Sequence, residues 1–147
     1  MPVRVANPSD IDEIAAMVHE HAAFEGAADR CQFDLEAALK AMSGPGTMLH
    51  GLIASPADDP AKLAGFALWY PTFSSWAGTS GIWLEDLYVR PAFRRQGLGR
   101  ELLSELRRTT SGRIEWEVLA TNTDAQSFYR RLGATRHDGW LCFRWTP

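Results

Sequence analysis

The sequence has few cysteines and no long apolar run, and both shortages narrow the class of protein. Only two cysteines occur in 147 residues. Cys31 and Cys142 lie far apart and have neither metal-ligand nor redox-motif spacing. No apolar stretch reaches the ~18 residues of a membrane helix. Residues 1–9 also lack the basic segment followed by an apolar stretch that is typical of a signal peptide. We therefore expect reduced thiols, no membrane association and a cytoplasmic protein.

The sequence also has little net charge, only −3, which argues against a nucleic-acid-binding protein. Residues 1–62 carry ten Asp or Glu and four Lys or Arg, whereas residues 63–147 carry eight and eleven. The acidic first part suits a cationic substrate, and the basic second part suits an anionic cofactor. The 46% hydrophobic and 22% charged content is typical of a globular protein, and we expect a single domain over 1–147.

Apolar periodicity and turn residues predict intermixed strands and helices. Ser9 precedes an apolar i, i+3, i+4, i+7 stripe from Ile11 to Ala22, and Asp12 completes a capping box with it. Further helices are predicted over 34–42, after the loop 94–99, and from the cap at 121–122 to 133. Strands are predicted over 2–6, 48–54, 63–69, 82–89, 113–119 and 140–145, with a turn-rich segment over 71–81. The order over 82–132 predicts a parallel βαβ unit.

Two glycines follow the strand over 82–89, in the sequence Arg94-Arg95-Gln96-Gly97-Leu98-Gly99-Arg100. Glycines let backbone N–H groups close around an anion, and the N-terminus of the next helix favours phosphate. Three arginines add positive charge. The segment therefore fits a pyrophosphate site, although the glycines alone would favour a simple strand-to-helix turn with solvated arginines.

Arg94-x-x-Gly97-x-Gly99 after an apolar strand resembles the acetyl-CoA pyrophosphate motif of the GNAT superfamily of N-acetyltransferases. Downstream, Asn122 and the run Ser127-Phe128-Tyr129-Arg130-Arg131-Leu132-Gly133-Ala134 resemble the family's second CoA-side helix. The resemblance implies an α/β (α+β) fold whose mixed, strongly twisted sheet has about six to seven strands and is flanked by about four helices. It also implies acetyl-CoA as co-substrate, a small amine as acceptor, and a homodimer.

Within the superfamily, the chain resembles diamine acetyltransferases of the spermidine/spermine and thialysine type. The similar segments are 65–70, 83–89, 127–131 and 139–140, and Ala23-Phe24-Glu25 resembles part of the subfamily's Ala-Lys-Tyr-Glu substrate segment. One departure concerns the distal amine of the substrate. Ser74-Ser75-Trp76 stands where the polyamine enzymes place Asp-Pro-Trp, so the resemblance does not extend to polyamine preference.

The resemblance implies two catalytic residues. Glu85 is expected to accept the amine proton, directly or through water, because only a neutral amine attacks a thioester. A carboxylate in a largely apolar strand would be desolvated, which raises the pKa of a carboxyl; the alternative is a buried ion pair with an arginine. Tyr129 is expected to protonate the departing thiolate, since a phenol with an ordinary pKa of about 10 is protonated at pH 7. The alternative for Tyr129 is core packing.

Side chains alternate between the two faces of a strand, and this predicts which side of the sheet each carboxylate faces. The alternation predicts that Glu85 and Asp86 face opposite sides of the sheet, and that Glu115 and Glu117 share one side. His19 and His21 are two residues apart on a helix and do not share a face. We therefore predict no metal site.

Two sets of residues complete the expected site. Those expected to bind acetyl-CoA are Leu87, Tyr88, Val89, Arg94, Arg95, Gln96, Gly97, Leu98, Gly99, Arg100, Asn122, Ala125, Ser127 and Tyr129. Those expected on the acceptor side are Phe24, Glu25, Trp83, Glu85, Glu115, Trp116, Glu117 and Asp138. Leu87 and Val89 would contribute backbone groups, Asn122 equally fits a helix N-cap, and Trp76 or Trp83 would contact an ammonium by a cation–π interaction.

Other interpretations stay open at this point. The acceptor of a GNAT enzyme would also fit an amino acid, an aminoglycoside or a protein N-terminus. A non-catalytic acyl-CoA sensor is disfavoured, because it needs neither Glu85 nor Tyr129. An unrelated nucleotide-binding βα protein is disfavoured because no Lys-Ser/Thr follows the glycines.

Overall fold

The computed structural model describes residues 2–147 in two compact units, one ending at Glu117 and the other covering Val118–Pro147. The strands of the first unit are β1 (Val3–Val5), β2 (His50–Ala54), β3 (Gly65–Ser74), β4 (Thr79–Val89) and β5 (Ile114–Glu115). Its helices are α1 (Ile11–Phe24), α2 (Leu35–Ala41) and α3 (Leu98–Thr109), and the second unit contains α4 (Thr123–Arg131). Single 3₁₀ turns lie at Pro8–Asp10, Ala28–Arg30 and Pro91–Phe93.

The five strands form one mixed sheet in the order β1-β2-β3-β4-β5. Neighbours from β1 to β4 are antiparallel, and β5 is parallel to β4. The parallel unit predicted from the sequence is confirmed as β4–α3–β5. Over residues 2–147 the sheet has five strands instead of the predicted six to seven. None of the helices in these residues is long and apolar enough to cross a membrane.

The segment over 71–81 was expected to be turns, and that prediction is wrong. β3 continues to Ser74 and β4 begins at Thr79, so only the tip of the hairpin is a turn. Pro71 pairs with Ile82 inside the ladder. At Gly81 a side chain would collide with the carbonyl oxygen of Arg113, so this glycine lets β5 approach β4.

The predicted strand over 140–145 is also absent. Within Val118–Pro147, α4 is the only helix or strand, and the side chains of Trp140, Leu141, Phe143 and Trp145 are exposed. An alternating apolar pattern forms a strand only where a neighbouring strand pairs with its backbone. The pattern of apolar residues does not reveal whether such a partner exists.

The sheet separates two apolar cores. The core on the side of α3, here called the α3-side core, contains Val3, Leu52, Ala54, Ala64, Ala67, Ile82, Leu84, Leu98, Leu102 and Leu106. The core on the side of α1, the α1-side core, contains Ile14, Met17, Ile53, Phe66, Leu68 and Tyr88. Successive residues of β2 and β3 alternate between the two cores, as strand geometry requires.

The entry into α1 is capped by Asn7 and Asp10, and not by the predicted pair Ser9 and Asp12. The Asn7 side chain accepts from the Ser9 N–H at 3.0 Å, and the Asp10 carboxylate accepts from the Asn7 N–H at 2.8 Å. Pro8 starts a 3₁₀ turn, which moves the cap two residues upstream. Two Arg4 nitrogens also donate to Asp10, each at 2.7 Å. The Arg4 hydrogen bonds hold the pKa of the Asp10 carboxyl below its ordinary value, and the Asn7 bond contributes to the lowering.

We predict that Asp10→Asn lowers the free energy of unfolding at pH 7 by roughly 1–2 kcal/mol, because a charged cap and its arginine partner are lost. A lowered pKa in the folded state stabilises the protein above the unfolded pKa of about 3.9, and the stabilisation disappears as pH falls through the folded pKa. The difference between wild type and variant in urea unfolding should therefore shrink on acidification below about pH 4. Asp12→Asn, at an exposed position in the first turn of α1, should cost less. Equal stability of Asp10→Asn and wild type at pH 7 would contradict this role.

Candidate active site

β4 contains one residue more than β3 in the middle of their ladder. Leu68 pairs with Asp86, whereas the next residue of β3, Trp69, pairs with Leu84. Glu85 is therefore the extra residue of a β-bulge, and a bulge turns the side chains that follow it to the other face. Leu84 lies in the α3-side core, but Tyr88 lies in the α1-side core.

The bulge places Glu85 and Asp86 on the same side of the sheet, and the prediction that they face opposite sides is wrong. Glu85 accepts from the indole N–H of Trp83 at 2.9 Å. Asp86 approaches His21 of α1, with 3.5 Å between Oδ1 and Nδ1. Simple alternation fails here because it holds only where both strands advance by equal numbers of residues.

Aromatic and acidic side chains lie together on this α1 side of the sheet. We call them the acidic face: Tyr70, Trp83, Glu85, Asp86, Glu115 and Glu117. Trp83 is the register partner of both Tyr70 in β3 and Glu115 in β5, and paired residues share a face. The neighbours of Glu115, Ile114 and Trp116, pack against the α3-side core. This confirms that Glu115 lies on the opposite side, and Glu117 follows two residues later.

Tyr70 was quoted in a sequence motif but was not predicted as a site residue. Burial raises the pKa of its hydroxyl, and the negative charges of Glu85 and Glu117 raise that pKa further. A raised pKa favours the protonated phenol. No pattern along β3 marks Tyr70, because its importance comes from residues of two other strands.

Glu85 is exposed, so the desolvation expected from an apolar strand is not present. The bulge explains this, since it lifts Glu85 out of the strand interior. The alternative expectation for Glu85 was an ion pair with an arginine. Among residues 2–147 no arginine pairs with it, and its hydrogen-bond partner is the indole N–H of Trp83. Glu115 does have an arginine partner, as Arg113 Nε lies 2.9 Å from its carboxylate.

Phe24 of the predicted acceptor set and Arg94 of the predicted cofactor set contact each other. The guanidinium of Arg94 lies 4.6 Å from the centre of the Phe24 ring and 5.6 Å from that of Tyr88. Arg94 Nε also donates to the Val89 carbonyl at 2.8 Å. Arg94 thus links the end of α1 to the end of β4 by cation–π contacts.

The glycine loop ends in an open helix N-terminus. Gly97 is the N-cap residue of α3, with φ +82°, and no side chain of the described residues caps this helix. A Cβ at Gly97 would meet nothing within 4 Å, so the space in front of the first turn is open. Arg95, Gln96 and Arg100 are exposed around it, and Arg95 also has a positive φ. The uncapped N–H groups and the arginines fit a pyrophosphate. Leu98 and Gly99 belong to the helix itself, and Leu98 is buried in the α3-side core.

The backbone of β4 is unpaired along one edge. β5 pairs with β4 only at Ile82 and Trp83, so Leu84–Val89 hydrogen-bonds to β3 on one side and to no strand of the described residues on the other. Unpaired backbone groups need another partner, and an extended amide chain such as pantetheine supplies one. Leu87 and Val89 pack their side chains against the α3-side core. The Val89 carbonyl already accepts from Arg94 Nε, so it is not among the unpaired groups of this edge.

For three predicted site residues, core packing or an ion pair is enough to explain where the side chain lies. Tyr88 is buried in the α1-side core, and its ring stacks on His21 at 5.3 Å. Trp116 packs against the α3-side core, away from the acidic face. In the second unit, Asp138 is exposed and forms an ion pair with Arg136 at 2.8 Å. We leave Trp116 and Asp138 out of the acceptor residues proposed below.

The second unit contains the remaining predicted residues. Asn122 is the N-cap residue of α4, and its side chain accepts from the Ala125 N–H at 3.1 Å, which confirms the cap. Tyr129 lies on the same helix, half-buried, with its ring 5.4 Å from that of Phe128. Ser127 is exposed on that helix. Gly133, with φ +94°, ends α4 as predicted.

Comparison with known proteins identifies the fold. Residues 15–134 match the acetyltransferase (GNAT) family. The chain belongs to the GNAT family. This family uses acetyl-CoA as co-substrate, and the protein is an N-acetyltransferase, as the resemblance of its motifs predicted. Among residues 2–147 no group of three or more His, Cys, Asp or Glu side chains is arranged to hold a metal ion.

Its relatives include two thialysine N-epsilon-acetyltransferases. The one from Caenorhabditis elegans is 35% identical over 93% of this chain and 86% of its own length. The one from Bos taurus is 30% identical over 97% of this chain and 90% of its own length. The crystal structure of a probable acetyltransferase has the same GNAT fold, with a TM-score of 0.78 at 21% identity over 100% of this chain and 98% of that one.

We predict that Gly97→Ala weakens acetyl-CoA binding about tenfold, because a left-handed φ costs a residue with a Cβ about 1–2 kcal/mol and the loop relaxes away from its anion-binding shape. Isothermal titration calorimetry with acetyl-CoA measures the effect. Gly78→Ala is the matched control, since Gly78 also has a positive φ, +68°, and open space, but lies in the β3–β4 turn. Both variants should lose similar stability, and only Gly97→Ala should lose affinity. Equal affinity of the two variants would exclude the loop as the pyrophosphate site.

Proposed function

We propose that the protein transfers the acetyl group of acetyl-CoA to a primary amine of a small cationic acceptor, of the thialysine or diamine kind. The acidic face carries this proposal. Four carboxylates and two aromatic rings lie on one side of the sheet, beside the unpaired edge of β4. A cationic amine is attracted by the carboxylates and contacts the rings through cation–π interactions.

Glu85 is the proposed base. When bound, acetyl-CoA supplies a thioester whose acyl carbon accepts the amine. Glu85 is the bulged residue at the start of the unpaired β4 edge, and its carboxylate is exposed and oriented by Trp83. An exposed carboxylate reaches an ammonium directly or through one water, and it accepts a proton in either arrangement.

Tyr129 is the proposed acid. It holds a phenolic proton at neutral pH and lies on α4, the helix that the family motif associates with the cofactor. Asn122 caps the start of that helix by accepting from the Ala125 N–H. The residues proposed to contact the cofactor there, Asn122, Ala125 and Ser127, therefore all belong to one short helix and its cap. The homodimer implied by the resemblance and the single domain expected from the length of the chain stay predictions.

The relatives support a thialysine-like acceptor more than a polyamine. Ser74, which stands where the polyamine enzymes place Asp, accepts from the Ala77 N–H at 3.1 Å and so stabilises the hairpin turn. Asp would fill the same turn position, but Ser brings no negative charge for a distant second ammonium. We therefore expect short acceptors to be preferred over spermidine.

We predict that Glu85→Gln lowers kcat/KM for the best acceptor by about a hundredfold, the usual contribution of a general base. The measurement is thiol release from acetyl-CoA with thialysine, lysine, putrescine, spermidine, an aminoglycoside and a peptide N-terminus. Glu36→Gln, at an exposed position of α2, is the control and should match wild type. Amine-dependent release that is equal in both variants would remove Glu85 as base. Release only with the aminoglycoside or the peptide would replace the proposed acceptor class.

We predict that Tyr129→Phe lowers kcat by about tenfold or more while the Kd for acetyl-CoA stays near wild type, because only the phenolic proton is removed. Single-turnover kinetics and calorimetry separate the two quantities. Phe128→Leu, which changes the neighbouring ring without removing a proton donor, is the comparison. Unchanged kcat in Tyr129→Phe would exclude the acid role.

A further inference from the structure

His21 lies between two carboxylates that come from different parts of the chain. Its Nε2 is 2.5 Å from Oε1 of Glu25, four residues later, and its Nδ1 is 3.5 Å from Oδ1 of Asp86 in β4. The three side chains are partly withdrawn from solvent, with exposed fractions of 20%, 29% and 25%. The imidazole also stacks on the Tyr88 ring at an interplanar angle of 23°. His21 thus stacks on one aromatic ring while its two ring nitrogens each lie within 4 Å of an acidic oxygen.

Both carboxylates lie where regular backbone structure is interrupted. Glu25 is the C-cap residue of α1, and the chain turns away directly after it. Asp86 follows the bulge residue, where the regular register is broken. An imidazole N–H that donates to a carboxylate restricts the orientation of that carboxylate, and Nε2 of His21 is within hydrogen-bond distance of Glu25. The other charged groups facing this side form separate contacts, since Arg90 pairs with Glu20 and Glu13, and Arg94 lies on the rings of Phe24 and Tyr88.

We infer that His21 is a positioning residue for acceptor binding: it holds Glu25 and Asp86 together, beside Glu85, as a bidentate site for the charged end of the acceptor. The inference rests on the proposed function, because it assumes that the acidic face binds the amine. His21 itself need not touch the substrate. Its role is to reduce the rotamer freedom that two carboxylates would otherwise lose on binding.

The test is steady-state kinetics of His21→Leu, His21→Gln and the control His19→Leu, with thialysine or the best acceptor of the panel. His19 lies on the same helix and is exposed. We expect His21→Leu to raise the acceptor KM about tenfold and to change kcat and the acetyl-CoA KM by less than about twofold. Glutamine carries its donors on a single nitrogen, which cannot occupy the positions of both ring nitrogens. His21→Gln should therefore give an intermediate acceptor KM, and His19→Leu should match wild type.

A double-mutant cycle with Glu25→Gln gives an independent measure. If His21 acts through Glu25, Glu25→Gln raises the acceptor KM less in the His21→Leu background than in wild type. A merely structural role would lower Tm and the active fraction in His21→Leu but leave the acceptor KM unchanged, and this result overturns the inference. If His21→Leu does not fold, an unchanged acceptor KM in His21→Gln overturns it equally.

The outcome for the wild-type protein separates this inference from the proposed function. A wild-type protein that is inactive with every amine overturns both. An active wild type whose His21 variants have an unchanged acceptor KM overturns only the inference about His21.

Discussion

Between Leu84 and Asp86 the backbone of β4 contains one residue that has no counterpart in β3, and the rest of the site depends on this mismatch. Upstream of the bulge, even-numbered residues of β4 face the α3-side core; downstream, Leu87 and Val89 do so. The change of face turns two consecutive carboxylates toward α1. Pairing with β5 ends at Trp83, immediately before the bulge. The unpaired backbone edge therefore begins at Leu84, next to Trp83 and Glu85 of the acidic face.

Charged contacts attach α1 to this part of the sheet. Arg90, directly after β4, donates to Glu20 from two nitrogens at 2.9–3.2 Å and to the Leu63 carbonyl at 2.8 Å. Its guanidinium also pairs with Glu13 at 3.0 Å. These contacts, together with Arg94 on Phe24, hold the C-terminal half of α1 over the end of β4. The helix consequently brings His21 and Glu25 to the acidic face, although they lie some sixty residues before it in the chain.

Features that depend on neighbours along the chain were predicted well. The apolar stripe of α1, the cap at Asn122 and the stop at Gly133 each follow from the residues within one element, and the β4–α3–β5 unit follows from the order of consecutive elements. Features that depend on a partner strand were not. Alternation misplaced Asp86 because the bulge is a mismatch between two strands, and Pro71 and Gly81 indicated turns although the long hairpin accommodates both. Tyr70 and His21 were missed as site residues for the same reason, since their partners lie on other elements.

The sequence by itself determined the family, the acetyl-transfer chemistry and the place of the glycine loop at the start of α3. It could do so because the motifs that resemble the family are short runs of consecutive residues, and a strand, a glycine turn and a helix start are each local features. Only the tertiary structure decided which carboxylates share a face, where the edge of β4 is left open, and what His21 contacts. Those properties arise from strand register and from the docking of α1, which are set by the packing of residues far apart in the chain.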